Sequence, residues 1–165
     1  MSVFTDYSLE EQQVLLRSLQ AAAVAISAAS LGRKVETASE GIAAAITITE
    51  RNVAQLDNTL IGSVQFALNE RATSGQPFPD YIKVASAADA GPRALETLRA
   101  VAALLAVKST PAEADGYKQW LLEIARRTTE AGKEGGNFLG WGAVQVNDAE
   151  KAAMKEVAQA LGVEQ

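Results

Sequence analysis

Four short segments of this chain carry the same helix-opening signature, and they fix most of what it can fold into. Each has a polar residue followed three positions later by Glu: Ser8-Leu9-Glu10-Glu11, Thr37-Ala38-Ser39-Glu40, Thr110-Pro111-Ala112-Glu113 and Asn147-Asp148-Ala149-Glu150. In such a capping box the polar side chain and the Glu each satisfy a backbone N–H that a helix start leaves without a partner. After Ser8, the residues Val14, Leu15, Leu19, Ala22 and Ile26 fall near helical spacing, and the pattern runs out at Leu31-Gly32. The Thr110 box has proline at the favoured first helical position. After Asn147 come Ala153, Met154, Val157 and Leu161, and then Gly162, a residue type that ends helices.

Two further apolar stripes lie between the boxes. One is Val53, Leu56, Leu60, Val64, Ala67 and Leu68; the other is Leu95, Leu98, Val101, Ala102 and Leu105, with Pro92 near its start. The β-branched run Ile46-Thr47-Ile48-Thr49 is weak as helix, which places a break near Thr49 to Asn52. "TSGQPFPD", with two prolines, reads as a loop, and Tyr81 to Ala87 as a short helix. Outside "GAVQV" no segment alternates as a strand does. The fold expected is all-α: a single-domain helical bundle of six to seven helices spanning residues 1–165. The cap spacing also suggests two pseudo-repeated helix pairs, one opening at Ser8 and Thr37, the other at Thr110 and Asn147.

Composition agrees. Aromatics make up only 5% of the chain, so Ala, Leu, Val and Ile must build most of the core. Runs such as "AAAVAISAAS" and "GIAAAI" combine the best helix former with a side chain small enough for close helix approach. "MSVFTDYSLEEQQ" has neither a basic start nor an early apolar core, and Ala21 to Leu31 is too short to span a bilayer. A cytoplasmic protein with no integral membrane segment is expected.

Several chemistries are excluded by what the chain lacks. It contains no cysteine and no histidine. Disulfides, thiolate chemistry, cysteine- or histidine-ligated metal sites and histidine-dependent triads are therefore out of reach. No phosphate-binding Gly-Lys-Ser/Thr loop, nucleophile elbow or Ser-x-x-Lys motif occurs. A net charge of −5 disfavours nucleic acid, and the basic pairs Arg33-Lys34 and Arg126-Arg127 read as solvated surface. Glu130 and Glu134 share a helical face, but Arg126 lies four residues before Glu130, which makes a surface charge ladder. Glu10 and Glu11 are first-turn acids, and Glu36 and Glu40 flank a helix start. No catalytic residue, cofactor or metal is assigned.

The most unusual stretch is "KEGGNFLGWGAVQVNDAE", Lys133 to Glu150. Gly135 or Gly136 suits the left-handed residue that ends a helix, and Gly140 and Gly142 flank Trp141. Phe138, Leu139 and Trp141 together could bury several hundred Å², on the order of several kcal/mol. The bland reading is a loop folded back over the groove between its flanking helices. The functional reading is an interaction or ligand patch of Phe138, Leu139, Trp141 and Val144.

"RRTTEAGKEGG", a loop, and then "NDAEKAAMKEVAQALG" resembles the tellurite-resistance TerB-like helical family. Glu150, Met154, Val157, Ala158, Leu161 and Gly162 fit that family's last helix. The resemblance implies an all-helical fold of paired units and a stress-associated role in the bacterial cytoplasm. Members that bind a cation do so with acids in the loop, where this chain has Asn137, Phe138, Leu139, Gly140, Trp141 and Gly142. Only Asp148 and Glu150 remain as nearby cation ligands, and a hard cation needs six or more oxygens. The function expected is a non-enzymatic interaction or scaffold protein that binds a protein partner or itself. The alternative is a small-ligand or cation-binding module using residues 133–150.

Overall fold

The computed structural model describes residues 1–29, 58–75, 87–134 and 148–163. Within them lie five α-helices and one turn of 3-10 helix, and no strand. The 3-10 turn is Phe4–Asp6; the helices are α1 (Leu9–Ala29), α2 (Thr59–Thr73), α3 (Ala87–Lys108), α4 (Pro111–Glu134) and α5 (Asp148–Leu161). The all-α bundle is as expected, with fewer helices than the six to seven anticipated. The helix expected from Thr37, the one expected before Ala87 and the stretch "GAVQV" lie outside the described residues.

Two of the capping boxes have the predicted geometry. The Ser8 amide donates to Glu11 Oε2 at 2.7 Å, and the Glu11 amide donates to Ser8 Oγ at 3.3 Å. The Glu113 amide donates to Thr110 Oγ1 at 3.3 Å, and the Thr110 amide donates to Glu113 Oε2 at 3.1 Å. The C-terminal end of α5 also behaves as read. Gly162 adopts φ +67, its amide reaches the Gln159 carbonyl at 3.1 Å, and the Val163 amide reaches Ala158 at 3.0 Å. That paired closure is the Schellman arrangement, which needs a left-handed residue.

Of the stripe read from Val53, Val53 and Leu56 lie outside the described residues. Asn58 is extended, at φ −94 and ψ 102, and caps a helix that starts only at Thr59. Its Oδ1 accepts from the Ile61 amide at 3.2 Å. Asn58 is a strong cap but has no Glu three positions on, so it shows no box. In α3 the buried face is Ala90, Ala94, Leu98, Val101 and Leu105. Leu95 and Ala102, read as part of that stripe, are half-buried at its flank. Pro92 sits in the second turn of α3, where it leaves the Ala88 carbonyl without its helical donor.

The core is organised around α1. Leu15, Leu16, Ser18, Leu19 and every residue from Ala21 to Ser27 are buried, so the two turns from Ala21 to Ser27 have no solvent face. A helix apolar on all sides has to be surrounded. α3, α4 and α5 pack against it, with α2 touching it more lightly. The alanines permit close approach: a methyl placed on Gly91 of α3 would stand 3.6 Å from Ala28 Cβ of α1. On α4, Tyr117, Trp120, Leu121 and Ile124 are fully buried. The Tyr117 and Trp120 rings meet edge-to-face, 5.3 Å apart at 87°, a favoured aromatic geometry. The Tyr117 hydroxyl donates to the Leu15 carbonyl at 3.1 Å. Burial pushes the Tyr117 phenol well above its ordinary range, so it remains a neutral donor.

Two helix-interior glycines predict opposite outcomes. A methyl at Gly62 of α2 meets nothing within 4 Å, so Gly62→Ala should stabilise the protein by about 0.5–1 kcal/mol. A methyl at Gly116 of α4 would stand 2.6 Å from Asn58 Nδ2, which donates to the Glu113 carbonyl at 3.0 Å. Gly116→Ala should therefore destabilise by roughly 1–3 kcal/mol. Urea unfolding of the two variants checks both signs.

Candidate functional site

One end of the bundle concentrates the long-range polar contacts among the described residues. The segment Ser2–Tyr7 crosses there between the starts of α2 and α4 and the end of α3. Within it the Val3 amide donates to Asp6 Oδ2 at 2.9 Å and the Asp6 amide to the Val3 carbonyl at 2.9 Å, which closes the 3-10 turn. Three bonds hold the segment to distant helices. The Ser2 amide donates to Glu113 Oε1 at 2.7 Å, and the Phe4 amide donates to Ser63 Oγ at 2.8 Å. The Tyr7 hydroxyl and Ser109 Oγ are 2.8 Å apart. The Phe4 and Tyr7 side chains are buried in the core cluster.

Glu113 is the junction. It is only 8% exposed, and its carboxylate accepts from the Ser2 amide, the Thr110 amide and the Thr110 hydroxyl. Burial alone would raise its pKa. The bonds from Ser2 and Thr110 outweigh that and hold the carboxyl below its usual range. Beside it, Lys108 Nζ pairs with Glu11 Oε2 at 2.7 Å and sits 5.8 Å above the Tyr7 ring. The hydrogen bond from Lys108, then that from the Ser8 amide, lowers the Glu11 carboxyl in turn. Met1, Ser2, Asp6, Lys108, Thr110 and Glu113 line an open cleft of about 370 Å³ together with Tyr7. The bonds just described tie the polar groups of this cleft to one another. Chemically the arrangement clamps chain to chain.

A second cleft, of about 410 Å³, lies between α1, α3 and α5. Its walls are mostly small or apolar, from Ala25, Ala28, Gly91 and Pro92, with Arg99 and Glu156 as charged lining residues. Elsewhere, Arg17 Nε and Gln20 Oε1 on α1 and Trp120 Nε1 on α4 are buried without a hydrogen-bond partner among the described residues.

The residues singled out from sequence fare differently. Phe138, Leu139, Trp141 and Val144 lie outside the described residues. Asp148 and Glu150, the candidate cation ligands, open α5 two positions apart, roughly 200° around the axis. Asp148 is fully exposed and 3.5 Å from Lys151, whereas Glu150 is buried. Among the described residues no group of three or more acids stands together as a metal site. Nor is any described helix long and apolar enough to cross a membrane. Arg126 and Arg127 both bond Glu123, at 2.7 Å and 2.8 Å, a face-to-face ladder on α4. Their hydrogen bonds lower the Glu123 carboxyl, that of Arg126 first.

Sequence reasoning marked Glu113 only as a cap and passed over Ser2, Tyr7 and Lys108. The acid in Thr110-Pro111-Ala112-Glu113 was a visible signal, but its partner is 111 residues away. Glu113→Ala should cost about 2 kcal/mol, because it strands the Ser2 and Thr110 amides as well as losing the carboxylate. The pH dependence has a definite sign. A carboxyl lowered by folding adds stability above its unfolded pKa of about 4.3, and that stability is lost as pH falls through the folded value. The stability gap between wild type and Glu113→Gln should therefore narrow between about pH 5 and pH 3, measured by urea unfolding across that range. No protein-family model, curated protein or solved structure matches the chain, so the TerB-like resemblance rests on the residues of its last helix and preceding loop alone.

Proposed function

We propose that the chain is a non-enzymatic helical interaction or scaffold protein, which binds a protein partner or a second copy of itself through Phe138, Leu139, Trp141 and Val144. The direction of its charge shifts supports this reading. A general acid or base working near neutral pH needs a carboxyl raised, or a phenol or amine lowered, toward that pH. Here the carboxyls of Glu11, Glu113 and Glu123 are all moved down, and the Tyr117 phenol is moved up. Each shift moves its group away from neutral, and each accompanies a contact that joins helices or braces one.

The TerB-like pattern from Glu150 to Gly162 attaches a stress-associated, cytoplasmic role to the same proposal. The proposed binding residues are large apolar side chains in the stretch of sequence between α4 and α5, and a few large side chains commonly carry most of an interface's affinity.

A photo-crosslinking amino acid tests the reading when placed at Trp141 and, as a control, at the exposed Lys155 of α5. Position 141 should yield one defined product, either a single partner or a second copy, and Phe138→Ser with Leu139→Ser should abolish it. Identical diffuse products from both positions would defeat the proposal. Millimolar calcium should leave the tryptophan emission unchanged. A saturable change lost in Asp148→Asn would favour the cation-binding module instead.

A further inference from the structure

Two residues on the outward face of α2 are not explained by the bundle itself. Phe66 is 68% exposed. Gly62, one turn before it, is exposed too, and a methyl placed on it meets nothing within 4 Å among the described residues. A glycine inside a helix costs stability relative to alanine, and its use is to admit a close neighbour. Here the bundle supplies no such neighbour.

The face carries a regular seam. Thr59, Gly62, Phe66, Asn69 and Thr73 follow at intervals of three and four residues, the spacing of one side of a helix. The last four are exposed, Thr59 is half-buried, and none of the five is charged. The exposed face of α3, in contrast, carries Asp89, Arg93, Glu96 and Arg99. An aromatic among uncharged neighbours is the composition of an interface centre. The opposite side of α2, with Leu60, Ile61, Val64 and Leu68, already faces the core.

The geometry points to this seam as the docking site for a second copy of the chain, with the two α2 helices antiparallel about a two-fold axis at Val64. In that register Phe66 of each copy fills the notch at Gly62 of the other, the self-complementarity that a two-fold interface requires. The absent side chain lets the helix axes approach to about 8 Å. Charge agrees with this direction. Glu70 of each copy comes opposite Asn58, at the start of the other α2. That start has no acid in its first turn, and the dipole of a helix N-terminus favours a carboxylate. A parallel pairing would instead set Phe66 on Phe66 and Glu70 beside Glu70. Each copy contributes about 22 Å of helix. That makes an interface at the small end of the specific ones, with a dissociation constant on the order of tens of micromolar. The proposal is independent of the reading that places partner binding at Phe138, Leu139, Trp141 and Val144.

Sedimentation equilibrium of the full chain from about 5 to 300 μM should show a monomer–dimer equilibrium. Phe66→Ser should weaken it at least about tenfold and leave the urea midpoint of the dilute monomer unchanged, because the ring is exposed there. Gly62→Ala should also weaken it about tenfold while raising that midpoint, so that association and folding move in opposite directions. Phe138→Ser with Leu139→Ser should leave the dimer intact. The chain has no cysteine, which permits a test of register. Thr59→Cys combined with Asn69→Cys should give disulfide-linked dimers, and either substitution alone should not. The two positions are about 15 Å apart along one helix, too far to bridge within a copy. A monomer at every concentration would overturn the proposal. So would a dimer that survives Phe66→Ser and is lost with Phe138→Ser and Leu139→Ser, or a monomer that Phe66→Ser destabilises. Cross-linking by either single variant would overturn the antiparallel register.

Discussion

The burial of α1 on every side between Ala21 and Ser27 is the constraint from which the architecture follows. From Ala21 to Ser27 the helix offers nothing to water, so the other helices must enclose it. Alanine makes that enclosure possible, because small side chains allow several helix axes to crowd a single one. It also makes the enclosure undemanding in shape. The features that impose a unique arrangement are therefore the larger and more polar ones: the Tyr117–Trp120 pair on α4, and the bonded cluster at the end of the bundle where α1 and α4 begin.

That cluster couples local and distant structure through a single carboxylate. Glu113 finishes the first turn of its own helix and also receives the Ser2 amide. Lys108 and Ser109, at the end of α3, reach Glu11 just after and Tyr7 just before the start of α1. Two helix starts, one helix end and the N-terminal segment are thus joined by bonds that individually are ordinary. Their placement at partly covered positions is what gives them weight, since a broken member leaves a covered amide or carboxylate without its partner.

How far the sequence foretold this depends on the range over which each signal acts. The boxes at Ser8 and Thr110 were legible because all their atoms lie within one turn. The glycine at 162 was legible for the same reason. Asn58 caps equally well, but Ile61 stands where a box would have Glu, and the apolar stripe from Val53 ran straight through it. Tyr117, Trp120, Leu121 and Ile124 carry plain helical spacing, yet nothing local marks Trp120 as a ring fully enclosed by its neighbours. The Ser2–Glu113 and Tyr7–Ser109 contacts join residues 111 and 102 positions apart, and no short-range pattern encodes them. The candidate patch was legible only as composition, four large apolar residues among glycines, and composition alone assigns no geometry.

The Leu15 carbonyl, in the middle of α1, receives both the Ser18 hydroxyl at 2.7 Å and the Tyr117 hydroxyl at 3.1 Å. Alanine faces are smooth, and two such helices could slide past each other by a turn at little loss of contact. A phenol that must find one particular oxygen does not tolerate that slippage, because a shift of one turn, about 5.4 Å, would leave its hydroxyl buried with no acceptor. Tyr117 thus acts as a key between α4 and α1, and it gives a bundle built largely from interchangeable methyl groups a single vertical alignment.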